Sequence, residues 1–171
     1  MRITLPAVLL LAALGIAVPG CESTKLFQGN PENALPEKEE WQQTEPLEVP
    51  SFAVLWEQAR DVIEGQGYGL DETRTRFDRR EMVSGWQTIL APTRFEGVRR
   101  RVHLTFVAAG DRWIVRGAVV RQRNVDVDNP SNPAAAKWEG NGPDTTRTGL
   151  IIWKIRAGFD PEILGGAPPA K

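Results

Sequence analysis

One histidine, one cysteine and a large set of arginines bound the chemistry open to this chain. His103 sits in an alternating stretch, Arg101-Val102-His103-Leu104-Thr105-Phe106. General acid–base work would need a carboxylate to orient that imidazole and a nucleophile or substrate within its reach. Nothing near it in sequence supplies either, so the spacing predicts an exposed strand histidine beside arginines. Asp126 and Asp128, followed by Asn129, have the alternation that hard cations favour. The tight-turn glycine and later bidentate glutamate of a calcium loop are missing at the required offsets, so these carboxylates read as a solvated loop. Gly65, Gly67 and Gly69 follow a helical pattern instead of a strand, which makes them helix-end and turn residues and not a phosphate cradle. No catalytic residue, metal or cofactor is expected.

The arginines carry more. Arg74 and Arg76 alternate along one stretch, Arg99 and Arg101 along a second, and Arg116 falls in a third. If these stretches are neighbouring strands, the guanidiniums line the open face of one sheet. Such a face suits an anionic glycolipid or an acidic envelope protein. The alternative is a solvated face whose charges discourage edge-to-edge pairing. Residues 74–123 hold twelve arginines against four acids, net +8, while residues 22–50 hold seven glutamates against two lysines, net −5. The whole chain carries a formal charge of −1, so its totals indicate neither disorder nor a nucleic-acid partner.

Cys21 follows an apolar run from Ile3 to Val18, with Arg2 in front. The run is shorter than the roughly 20 residues a spanning helix needs, and Pro6 would disturb one. The sequence Val18-Pro19-Gly20-Cys21 resembles the lipobox of bacterial lipoprotein signal peptides, with an aliphatic residue at −3 and a small one at −1. That resemblance implies cleavage between Gly20 and Cys21 and a palmitate-type lipid anchor on Cys21. It also implies a place in the cell envelope, facing the periplasm, with outer and inner membrane both open. The alternatives are an ordinary secretory signal or a short uncleaved anchor. Lipidation would consume the only thiol and leave no disulfide or cysteine catalysis.

The elements that must position these residues follow from periodicity. Residues 1–20 are the signal peptide and leave the fold argument. Residues 21–50, with Pro31, Pro36, Pro46 and Pro50 and many glutamates, read as a lipidated cysteine and an acidic, disordered tether. A single α+β domain is expected over 51–160, and a disordered tail over 161–171. Ser51 is a plausible N-cap, and Phe52, Leu55, Trp56, Ala59 and Ile63 recur at helical spacing. Leu70–Phe77 reads as a threonine-rich strand, Asp78-Arg79-Arg80 as a turn, and Glu81–Leu90 as the returning strand. Arg99–Ala108 and Arg112–Arg123 alternate around Ala109-Gly110-Asp111 as a hairpin. Asn124–Pro143 reads as loop with a helical turn near Ala134–Trp138. Asp144–Phe159 favours a helix capped by Asp144, with the β-branched run Leu150–Ile155 leaving a fifth strand as the alternative.

The expected architecture is therefore a two-layer α+β sandwich. An antiparallel sheet of about four strands carries one long amphipathic helix and a second, C-terminal helix on one face. Trp86, Leu104, Phe106, Trp113 and Val115 are expected against the helix over 52–64. Gly67-Tyr68 at the helix end, and Ser84-Gly85-Trp86 after a strand and turn, are similar to helix-grip envelope lipoproteins such as the C component of the β-barrel assembly machinery. The likeness spans roughly residues 51–120. It implies a non-catalytic accessory of envelope assembly and assigns no functional residues; that family has two such domains, and this chain has room for one. The expected function is a membrane-anchored binding or scaffolding module. A small-molecule or lipid carrier and a small cell-envelope hydrolase are the alternatives.

Overall fold

The computed structural model describes residues 41–93, 96–126, 136–160 and 162–163. Its spine is the hairpin of β4 (Glu96–Ala109) and β5 (Arg112–Asn124), paired without a break from Val98↔Arg123 to Ala109↔Arg112. Alternating side chains give this pair two distinct faces, and Gly110 turns the chain at φ 67°. Short strands flank the spine. β2 (Glu81–Val83) and β3 (Gln87–Thr93) pair with β4, while β1 (Gln42–Gln43) and β6 (Trp138–Pro143) pair with β5. All pairings are antiparallel, so the fold is α+β with one open six-stranded sheet.

Both helices cover the same face. In α1 (Phe52–Gly65) the Ser51 hydroxyl accepts from the Val54 amide at 3.3 Å, and Leu55, Trp56, Ala59 and Ile63 are buried. Gly67, at φ 81°, ends the helix. In α2 (Thr145–Ala157) the Asp144 carboxylate accepts from the Arg147 amide at 3.0 Å, Lys154 and Arg156 occupy the last turn, and Ile151, Ile152 and Ile155 are buried. The ambiguous C-terminal run is thus a helix, because its isoleucines fall on one helical face that the sheet covers. They meet Val102, Leu104, Phe106, Val115 and Val119 in one cluster. Gly117 lets α2 close down: a Cβ there would lie 2.8 Å from Leu104 Cδ2 and 3.0 Å from Ile152 Cδ1.

Where strands stop short, hydroxyls stand in for the missing ladder. The amides of Val102, Val115 and Val119 donate to Ser84 Oγ (2.9 Å), Thr44 Oγ1 (3.0 Å) and Thr148 Oγ1 (3.0 Å). These three bonds knit residues from distant parts of the chain onto the spine.

Several expectations need correction. The sheet has six strands, not about four. The domain takes in residues read as tether: Leu47 exchanges backbone bonds with Trp113 (2.7 and 3.0 Å), and its side chain joins the core. The folded part therefore starts before Ser51. Leu70–Phe77 is a turn-rich segment and not a strand: it meets β2 and Ser84 through the isolated bridges Leu70↔Ser84 and Arg76↔Glu81 and through bonds of Asp71 and Thr75 to the Val83 backbone. Glu81–Leu90 is two strands, not one, because the register against β4 advances by one residue between Val83↔His103 and Gln87↔Arg100. That extra residue is a β-bulge at Ser84-Gly85-Trp86. Trp138 opens β6 and belongs to no helical turn; residues 134 and 135 lie outside the described residues. So do residues 1–40, with Gly20 and Cys21, and most of the 161–171 tail.

Candidate binding surface

The sheet face opposite the helices carries the odd-numbered residues of β4: Arg99, Arg101, His103 and Thr105. Their partners on β5 are Gln122, Val120, Ala118 and Arg116. This face divides into a buried block and an exposed row.

The buried block is built from Arg99, Arg101 and His103, which are 6, 4 and 4% exposed. Both arginines lie against indole rings. The Arg99 guanidinium sits 4.2 Å from the Trp86 centroid and 4.7 Å from that of Trp138, and Arg101 sits 4.2 Å from Trp86. Such contacts stabilise by about 2 kcal/mol when desolvated. Arg99 Nε also donates to Gln122 Oε1 at 2.7 Å. The bulge at residues 84–86 explains the placement, since it swings Trp86 off the helix-covered face onto this one. The expectation that Trp86 packs beneath α1 is therefore overturned.

His103 is buried, not exposed. Burial pushes its imidazole down to about 4, and the positive charges of Arg101 and Arg74 push the same way. Its Nε2 is buried and makes no hydrogen bond. Among the described residues the charges that act on this ring are cationic, and with burial they favour its neutral form.

The exposed row runs across the sheet through Arg76, Glu81, Thr105, Arg116 and Gln43, each paired with the next. Arg76 and Arg116 are both exposed, and Arg116 Nε donates to Gln43 Oε1 at 3.2 Å. Three strand spacings of about 4.8 Å put these two residues roughly 14 Å apart. Arg74 stands between the two zones, half-buried, with its Nε 3.5 Å from Asp71 Oδ2. The five arginines singled out from the sequence thus share a region without forming one open surface. Arg99 and Arg101 are inside it, and Arg76 and Arg116 are at its solvent edge.

Sequence reasoning missed Trp138 and Gln122 as members of the block, and it misplaced Trp86. The Ser84-Gly85 pair before Trp86 was the available signal, since glycine within a strand pattern often marks a bulge. Of the acidic pair, Asp126 is half-buried and its amide donates to Asn124 Oδ1 at 3.0 Å, while Asp128 lies outside the described residues. Among the described residues no three His, Cys, Asp or Glu side chains converge as metal ligands.

No protein-family model matches this chain, and no curated protein matches it in sequence. Function is therefore argued from these residues alone. Among the described residues no helix is long and apolar enough to cross a membrane.

Proposed function

We propose that this chain is a lipid-anchored protein of the cell envelope, facing the periplasm, whose α+β domain is a non-catalytic binding or scaffolding module. In this reading it is an accessory to outer-membrane or envelope assembly. The observation that carries the reading is Val18-Pro19-Gly20-Cys21 behind an apolar run. Lipidation there ties the domain to a membrane through residues 22–40, and the domain meets its partner with side chains, not with chemistry.

The described residues support binding over catalysis or carriage. His103 is walled in by arginines and held neutral. Between helix and sheet, where a carrier needs an apolar cavity of several hundred Å³, Leu55, Ala59, Ile63, Leu104 and Ile155 pack in one cluster at 0–1% exposure. The contact surface in this proposal is the exposed row, with Arg76 and Arg116 offering guanidiniums and Arg74 beside them. Planar guanidiniums match carboxylate and phosphate oxygens in pairs. The partner class is an acidic envelope protein or an anionic glycolipid.

The test is in-cell crosslinking and affinity purification of the full-length protein, beside a variant with Arg74, Arg76 and Arg116 all changed to Gln. The proposal expects a crosslinked species that the variant recovers several-fold less. Equal recovery from both removes the arginine row as the contact surface.

A further inference from the structure

On the helix-covered side of the sheet, a second set of cations lies just beyond the apolar core. Arg100 and Arg121 face each other across β4 and β5, two residue pairs on from Val102↔Val119 and so on the same face. Like charges directly opposite on a sheet repel, so this pair needs negative charge nearby. Arg100 Nε donates to Asp144 Oδ2 at 2.7 Å, in a pair largely withdrawn from solvent. Among the described residues Arg121 meets a neutral acceptor, the Asn141 carbonyl, at 3.0 Å from Nη2 and 3.3 Å from Nε. Asp144 is also the N-cap of α2, and its other oxygen holds the Arg147 amide. Arg147 therefore enters the same locality within the first turn of the helix.

Tyr68 provides an independent sign. The residue is 2% exposed, and its hydroxyl is buried with no hydrogen-bond partner. Leaving a buried hydroxyl unpaired costs about 1–3 kcal/mol. Gln87, the strand partner of Arg100, donates to the carbonyls of Gln66 and Gly67 just before Tyr68, at 3.2 Å each, which ties this residue to the Arg100 locality. Burial raises the phenol's pKa, while Arg147 and Arg100 act against that shift. Arg100 is thus held on the Asp144 carboxylate, Arg121 stands opposite Arg100 across the hairpin, and Arg147 lies in the first turn of the helix that Asp144 caps, with the unpartnered Tyr68 hydroxyl nearby. The first amides of α2, Thr145 and Thr146, add donors that have no carbonyl partner within the helix.

We propose that Arg100, Arg121, Arg147 and the Tyr68 hydroxyl form a site for a phosphate group, held between the end of α1 and the start of α2. Asp144 already occupies Arg100 Nε, so the ligand is met by the outer edges of the guanidiniums and by the phenolic O–H. A phosphate dianion matches the excess of two positive charges better than a carboxylate does. The phosphate belongs either to a free phosphorylated solute or to a lipid headgroup. This site shares no residue with the exposed arginine row and does not depend on it.

The experiment uses the full-length protein in neutral detergent. Thermal melts are recorded against inorganic phosphate, against glycerophosphoglycerol (the deacylated headgroup of phosphatidylglycerol), and against sodium chloride of equal ionic strength. The site predicts a saturable rise in melting temperature that chloride does not give, with an apparent Kd below about 1 mM. Arg121→Gln and Tyr68→Phe should each weaken that response about tenfold, and Arg112→Gln, at the exposed far end of the hairpin, should leave it unchanged. Tyr68→Phe keeps the ring and removes only the unpaired hydroxyl, so in chloride it should melt at or above the wild type. A stronger response to inorganic phosphate identifies a free solute, and a stronger response to the diester identifies a headgroup. Equal responses to phosphate and chloride, or phosphate responses in Arg121→Gln and Tyr68→Phe that match the wild type, would overturn the site.

Discussion

The two faces of the β4–β5 hairpin are buried by different means. Beneath the helices, Val102, Leu104, Phe106, Val115 and Val119 are removed from water by other apolar groups. On the far face, Arg99 and Arg101 are removed from water by Trp86, with Trp138 closing over Arg99. The first kind of burial is nondirectional and tolerates many shapes. The second requires a ring at the right height over each guanidinium, and that ring is supplied by a bulge. A face built of Arg, His and Thr can therefore be as buried as one built of Val and Leu, provided that aromatic side chains reach over it.

Substitutions can separate the two mechanisms. The largest loss is expected beneath the helices: Leu104→Ala should cost about 2–5 kcal/mol, read as a lower urea midpoint at unchanged slope. A loss under about 1 kcal/mol would mean that the helices do not clamp this face.

Next comes the titration of His103. Its folded value of about 4 lies below the ordinary 6.5. Between those values the unfolded chain takes up the proton first, so this contribution is intact above pH 6.5 and is lost as pH falls towards 4. The shift corresponds to about 3 kcal/mol. Comparing wild type with His103→Gln across this window isolates it from the carboxylates. Parallel stability curves for the two proteins would show that the ring is not buried among cations.

Trp86→Ala, which unstacks both arginines, should cost about 1–3 kcal/mol, and Trp86→Phe markedly less. The smallest effect belongs to the exposed row: Arg116→Gln should change stability by no more than about 0.5 kcal/mol. A large effect there would make Arg116 a structural residue and unsuit it for partner contact.

The β4–β5 hairpin and α1 were legible because their apolar periods, two and 3.6, are uninterrupted. The helix of residues 145–157 was legible through Asp144 and the spacing of Ile151, Ile152 and Ile155, against the β-branched run and Gly149. β1 and β6 were not legible. One is two residues long, and the other, Trp138-Glu-Gly-Asn-Gly-Pro143, is held in place by pairing with β5 and not by propensity. The burial of the far face was hidden for another reason. Read as one strand, Glu81–Leu90 places Trp86 on the same side as Met82, beneath the helix. The inserted residue reverses that side, and only the pairing with β4 reveals it.

The same limit applied to the arginines near Tyr68. Arg100 and Arg121 occupy positions that the alternation assigns to the core, where isolated arginines look like exceptions. Pairing across the hairpin makes them neighbours, and the N-cap of α2 brings Asp144 and Arg147 to them.

Both faces serve a domain whose proposed place in the cell rests on Cys21. Mass spectrometry of the N-terminal peptide of the protein purified from its own envelope tests that claim most directly. The account predicts a mature chain that begins at Cys21 and carries the mass of covalently attached acyl chains, lost when Cys21→Ser is expressed. An unmodified Cys21, or a mature chain beginning at another residue, would contradict it.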